Sequence, residues 1–457
     1  MSMLISALTV FVFVAAYFFI GLFASRHVKS TNDYFLAGRS LGIWSVTFTL
    51  IATQLGGGML LGTSEESYLY GLYGVFYTLS MVIGFMLLAF GFASVLRKLN
   101  VATTAELFET RYHSLPLRKF ASVLSILTLS GLLIGQIVAS RSVIDGLTGN
   151  SELAFLVVWL LIIGYTVAGG LYAVVLTDIF QVLFIIALFG AIFVYCLLYQ
   201  PAGATSIPAL LDIQQLHFSV KSILDPRFLG ILLMPALFSL IEQDLAQRFF
   251  AARSRRIATL SALLAAIFII SFSIIPVYFG MQARLAGIYV PAKDALLAYL
   301  GLITNDFVIL LAACGLMAAI TSTADSLLCA ISSNVAQDFN LSSAMRRLGI
   351  RNQLIQSQVI TLIIGCIGIA ASYLMPLGVI DILEGSYALS VNALFIPLIF
   401  AYFSKNVHRN AAIAAILAGL TTSALMPLWQ TNFPKTLVPL AAALIAYGIG
   451  HWHSRKG

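Results

Sequence analysis

Residues 54–58 read Gln54-Leu55-Gly56-Gly57-Gly58, three consecutive glycines in the middle of an apolar run over about 42–64. Glycine inside a helix costs about 1 kcal/mol relative to alanine. Three in a row predict a helix that stops and restarts. Unwound backbone at membrane depth is tolerated only where it faces protein or lines a cavity. The competing reading is a close glycine seam between two continuous helices.

A second apolar run, about 228–248, is interrupted in its own way. It carries Pro235 and then Glu242-Gln243-Asp244 running into Gln247-Arg248. Proline removes a backbone donor and favours a kink or break. Interrupted helices at matching places of two halves are the best sequence pointer to a transporter's central site. Counted along the chain these are spans 2 and 7, five apart. That spacing predicts a five-plus-five inverted repeat over spans 2–6 and 7–11, with spans 1, 12 and 13 as additions.

Composition sets the solvent. The chain has 457 residues, 60% hydrophobic and 9% charged, where ordinary globular chains carry about 25% charged residues. An all-α integral membrane protein follows. Runs long enough to span number about 13, at approximately 4–24, 42–64, 72–95, 119–146, 152–170, 172–198, 228–248, 258–283, 306–336, 354–375, 378–403, 410–428 and 436–451. No polar loop separates the fifth and sixth, which meet at Gly169-Gly170. The chain reads as one transmembrane domain over 1–457, with core repeats at about 42–198 and 228–403 and extra helices at about 4–24, 410–428 and 436–451.

The net charge of +7 is read through loop topology, not as a nucleic-acid signal. With the N-terminus outside and the C-terminus in the cytoplasm, nineteen of the 25 basic residues fall on the inner side. Six fall outside: Arg141, Lys221, Arg227, Arg284, Lys293 and Lys435. The first span has no basic residue before it and is too long for a signal-peptide core. The segment 96–118 reads as a short amphipathic helix on the inner side. Short loops suit a bacterial inner membrane. Cys196, Cys314, Cys329 and Cys366 have no metal-ligand spacing and read as packing residues. No nucleophile–base pair stands at membrane depth, so an enzyme is not expected.

The ninth span holds Ala318-Ala319-Ile320-Thr321-Ser322-Thr323-Ala324-Asp325-Ser326. A carboxylate at the centre of a bilayer costs about 2.5–3.5 kcal/mol on insertion scales. Hard cations want hydroxyl, carbonyl and carboxylate oxygens. This stretch offers them together and suits a small alkali cation. A polar helix-packing seam is the other reading.

Several motifs in register resemble the sodium/solute symporter family. They are Asp33-Tyr34-Phe35-Leu36-Ala37-Gly38-Arg39 before span 2, Gly169-Gly170-Leu171-Tyr172-Ala173 followed by Thr177-Asp178 and Gln181, Gln247-Arg248, and Ala319 to Ser326 followed by Asp338. The resemblance implies a LeuT-like fold and transport driven by sodium as coupling ion. It implies a main sodium site made by the carbonyls of Ala52 and Leu55, the carbonyl of Ala319, and the hydroxyls of Ser322 and Thr323. In some members a second position follows. Its counterparts here are Asp178, Ser322, Asp325 and Ser326, for a second cation or a proton. This chain has a carboxylate at Asp325 where those members have a hydroxyl.

The solute is expected beside the break in span 2, against Gln54, Met59, Gln136, Phe238 and Glu242. Gly56-Gly57-Gly58 with Gly62-Thr63 and Glu65 resembles the choline-transporter branch. That branch uses tryptophans in spans 2 and 7, and here the aligned positions are Gln54 and Glu242. A quaternary ammonium needs an aromatic cage. The residues present favour a ligand that forms hydrogen bonds: a small amine, an amino acid or a related metabolite. Two alternatives stay open. One is a proton-coupled or exchange transporter using Asp178 and Asp325. The other is a membrane solute sensor with a separate signalling partner, against which the seven-residue tail and lack of a soluble domain speak. The oligomeric state is not legible.

Overall fold

A computed structural model of the chain describes residues 3–149, 151–200, 226–339, 341–374, 379–428 and 437–456. The stretch between spans 6 and 7, at 199–227, lies mostly outside these residues. Eight helices among the described residues are long and apolar enough to cross a membrane, and the apolar helix Arg409–Leu425 is shorter. Two of the eight are too long for one crossing. Glu152–Tyr199 has 48 residues, about 72 Å at 1.5 Å per residue, against a hydrocarbon core of about 30 Å. It divides at Gly170, whose φ of 51° and ψ of −140° are not helical. A Cβ there would lie 2.3 Å from the carbonyl oxygen of Tyr34. Spans 5 and 6 are therefore joined by a glycine corner pressed on the segment before span 2. Gly58–Leu99 similarly turns at Gly71, where φ is 64°.

Span 2 is Ile43–Gln54, a non-helical step, a widened turn over Gly58–Gly62, and Thr63–Tyr70. The expected interruption is present and falls on the glycines. Span 7 is Pro226–Phe238 and Gln243–Ala251. Its break does not fall at the proline. Pro235 lies inside the first helix, and the chain leaves helical geometry over residues 239–242. The next backbone N–H, that of Ala236, is capped by Ser80 Oγ at 2.9 Å, so the first half tolerates the proline and ends one turn later. The expected amphipathic helix in 96–118 shrinks to Glu106–Thr110.

The two broken spans run in opposite directions. Leu41, before span 2, pairs its backbone with Ala251 and Arg253 at the end of span 7, at 3.2 and 2.9 Å. Spans 4 (Leu115–Thr148) and 9 (Asp306–Asp338) behave alike: they pack on each other, and Arg118 near the start of one meets Asp338 at the end of the other at 2.8 Å. Each pair is five spans apart and antiparallel, the relation an inverted repeat requires. Span 8 (Arg255–Leu285) packs on spans 2 and 3. Span 1 (Met3–Ser25) packs on the span 5–6 helix, and Arg409–Leu425 and Leu437–Lys456 pack on each other and on span 11 (Val379–Phe403), outside the repeats.

Candidate functional site

The seam between span 9 and the first half of span 2 is made of oxygens. Ser322 Oγ donates to the carbonyl of Ala52 at 3.0 Å and to that of Ala319 at 2.9 Å. Thr323 Oγ1 donates to the carbonyl of Thr53 at 3.1 Å and to that of Ala319 at 3.3 Å. Gly56 explains why the two helices come so close. A Cβ on it would stand 2.2 Å from Thr323 Oγ1. The glycine is kept here for proximity, not for an unusual φ. Leu55 is fully buried at the helix end. The hydroxyls bond the carbonyls of Ala52 and Thr53, so Thr53 is a backbone contributor that sequence reasoning did not name.

One turn further along span 9 lies a second buried layer. Thr49 Oγ1 donates to Asp178 Oδ2 at 2.5 Å, and Tyr165 OH donates to Asp325 Oδ2 at 2.5 Å. Thr53 Oγ1 and Ser326 Oγ are 3.3 Å apart. Arg248 donates to Ser326 Oγ, and its other terminal nitrogen to the carbonyl of Asp244. Asp178, Asp325, Ser326 and Arg248 are all fully buried. Asp178 and Asp325 feel each other's charge, and both feel that of Arg248. Asp178 Oδ1, Asp325 Oδ1 and Arg248 Nε have no hydrogen-bond partner among the described residues. In a medium of low dielectric each such orphan is costly. The expected second position thus already contains a guanidinium. Gln181 Nε2 donates to Thr321 Oγ1 at 3.0 Å, and Gln247 Nε2 to the carbonyl of Phe35 at 2.7 Å. These contacts join spans 2, 6, 7 and 9 into one polar lattice.

Above this lattice is a partly open cavity. Its wall includes Gln54, Met59, Gln136 and Phe238, four of the five residues expected to face a solute. It also includes Thr323, so the cation seam and the cavity share a residue. Glu242 is the correction. It does not line the cavity. Its carboxylate accepts from Ser390 Oγ at 3.0 Å and Ser125 Oγ at 3.4 Å, nor is it paired with Arg248. Its extended backbone, φ −81° and ψ 146°, starts the second half of span 7 and turns the side chain toward spans 4 and 11. The carboxylate on the cavity wall is Asp244. Tyr77 and Tyr387, also on the wall, place their hydroxyls 3.4 Å apart, and Phe238 meets the Tyr387 ring edge-on at 4.6 Å. Sequence reasoning missed these three. Asp244 stood within the quoted triplet Glu242-Gln243-Asp244, and no residue of spans 3 or 11 was named.

Among the described residues no group of three or more His, Cys, Asp or Glu side chains is arranged to hold a metal. The oxygens that converge are hydroxyls and backbone carbonyls, a donor set for a hard monovalent cation and not for a transition metal.

The structural likeness is to secondary transporters. A Na+-coupled sialic acid symporter, solved in a substrate-bound outward-open state, matches with a TM-score of 0.83 at 18% identity, over 98% of this chain and 97% of that one. Mhp1, a nucleobase-cation-symport-1 family transporter solved closed with bromovinylhydantoin bound, gives 0.61 at 15% identity, over 93% and 95%. MhsT in complex with L-phenylalanine gives 0.56 at 17% identity, over 90% and 98%. At such identities these matches establish the fold, a LeuT-like helical bundle, and agree with the antiparallel pairing of spans five apart. The model of the sodium:solute symporter family matches residues 34–419, most of the sequence. The chain therefore belongs to the sodium:solute symporter family, as a multi-pass membrane transporter with sodium as its coupling ion.

Proposed function

We propose that this protein imports a small polar organic solute (an amine, an amino acid or a related metabolite) with sodium, by alternating access. The carrying observation is the seating of the Ser322 and Thr323 hydroxyls on the carbonyls of Ala52 and Thr53, where span 2 loses its helix. Backbone carbonyls freed near a helix break and hydroxyls on the facing helix are what a sodium ion needs. The ligands in this reading are the carbonyls of Ala52, Leu55 and Ala319 and the hydroxyls of Ser322 and Thr323. Sodium as transported ion ties span 2 to span 9 and fixes the non-helical segment. Gln54, Met59, Gln136 and Phe238 then present a formed wall to the solute. Rocking of the bundle exposes both to the other side. The membrane is a bacterial inner membrane, with the N-terminus outside. Each sodium ion moving inward through 100 mV releases about 2.3 kcal/mol.

Asp178, Asp325 and Ser326 act in this scheme as a charge-balancing layer. When both aspartates are ionised they contribute −2. Arg248, bonded to Ser326, returns +1, and one sodium ion returns another. One sodium per cycle brings the layer to neutrality without a second ion. The test is the thermal stability of the purified protein in sodium and in potassium salt, at equal ionic strength and clamped pH. A ligand that binds only the folded state raises the midpoint. A sodium-specific rise is expected, and equal stability in the two salts would overturn the reading.

A further inference from the structure

We propose that Asp244 selects the charge of the solute, and that the transported solute is a protonated amine. This rests on the reading that the central cavity is the solute site. Among the described residues, Asp244 is the one acidic residue on the cavity wall, and no lysine, arginine or histidine stands there with it. Asp244 Oδ1 accepts the backbone N–H of Leu245 at 2.8 Å, and Oδ2 has no protein partner among the described residues. The charge of Arg248 acts on Asp244, but its hydrogen bonds go elsewhere. Arg248 donates to Ser326 and to the backbone carbonyl of Asp244, and it forms no ion pair within 4.0 Å among the described residues. Glu242, two residues back, faces Ser125 and Ser390 and not the cavity.

A carboxylate that is only 5% exposed and unpaired is strongly unfavourable in a low-dielectric wall. A cation brought by the ligand relieves it. The remaining wall fits the same ligand. Gln136 Oε1 is buried without a partner and offers an acceptor to an N–H. The faces of Phe238, Tyr77 and Tyr387 attract a cation through their quadrupoles. An ammonium with N–H donors satisfies Asp244 and Gln136 together. A quaternary ammonium has no donor for either, and an anion meets Asp244 with like charge.

The test uses the purified full chain and matched small molecules in sodium buffer. The amines are ethanolamine, 2-phenylethylamine and tyramine. Their neutral counterparts are ethylene glycol, 2-phenylethanol and tyrosol, and 4-hydroxyphenylacetate is the anionic control. At least one amine is expected to raise the melting midpoint where its neutral counterpart at equal concentration does not. Asp244→Asn is expected to weaken that amine at least tenfold while keeping the shift caused by sodium alone, which shows that the variant is folded. The proposal is overturned if no amine stabilises, if a neutral or anionic analogue does as well as its amine, or if Asp244→Asn binds the amine like the wild type. Amine stabilisation of equal size in potassium would contradict sodium coupling and leave the role of Asp244 standing.

Discussion

Arg248, on the second half of span 7, donates to the hydroxyl of Ser326 on span 9, one turn beyond Ser322. A positive side chain thus reaches the layer where the family resemblance puts a second cation or a proton. In the proposed scheme the charge count calls for one sodium. A titration of thermal stability with sodium is predicted to give a slope corresponding to a single ion, and a slope near two would contradict it. Arg248→Ala removes a buried positive charge that acts on two buried aspartates and is predicted to lower the melting midpoint in potassium. Arg248→Lys keeps the charge, loses the planar fork, and should recover part of that loss.

Glycine substitutions separate close approach from helix propensity. Gly56→Ala places a methyl group 2.2 Å from Thr323 Oγ1 and is predicted to cost about 1–3 kcal/mol through overpacking, with loss of the sodium-specific stabilisation. Gly170→Ala forces a side chain onto φ 51° and against the Tyr34 carbonyl, with a loss of at least about 1–3 kcal/mol. Gly190, on the same long helix, has open space around it. Its change to alanine should be neutral or stabilising by up to about 1 kcal/mol. Thermal midpoints of the three variants, measured side by side, check the ranking.

Asp338 closes the far end of the span 4–9 contact. It accepts from Arg118 Nε at 2.8 Å and from Thr103 Oγ1 at 2.7 Å. Removing Arg118 leaves a carboxylate whose side chain is fully buried. Arg118→Ala is predicted to cost about 3 kcal/mol, the lower end for such a pair because Thr103 remains. In the double variant with Asp338→Asn the loss should be smaller than the sum of the two single losses by about 0.5–3 kcal/mol. Additive losses would show that the pair is not coupled.

How far the sequence carries depends on whether a feature is local. The break in span 2 was legible because three glycines allow little else at membrane depth, and it falls where they stand. Ser322 and Thr323 were legible because neighbouring hydroxyls in an apolar helix need a reason. The pairing of Thr49 with Asp178 and of Tyr165 with Asp325 joins residues more than a hundred positions apart. It depends on how each helix is rotated, which one sequence does not specify. The choice between Glu242 and Asp244 failed for a related cause. Residues two apart on a helix point about 200° apart, so the one facing the cavity is decided by where the helix restarts. The break before that restart begins a full turn beyond Pro235, because Ser80 caps the backbone that the proline would otherwise leave disturbed.

The central claim is that the oxygens of Ser322 and Thr323, set against the end of the first half of span 2, bind the coupling ion. Its most direct test is the sodium concentration needed for half-maximal thermal stabilisation of Ser322→Ala, compared with the wild type at clamped pH. At least a tenfold rise is predicted, about 1.4 kcal/mol of binding free energy, with little change in stability in potassium. A variant that keeps the wild-type sodium requirement would contradict the assignment.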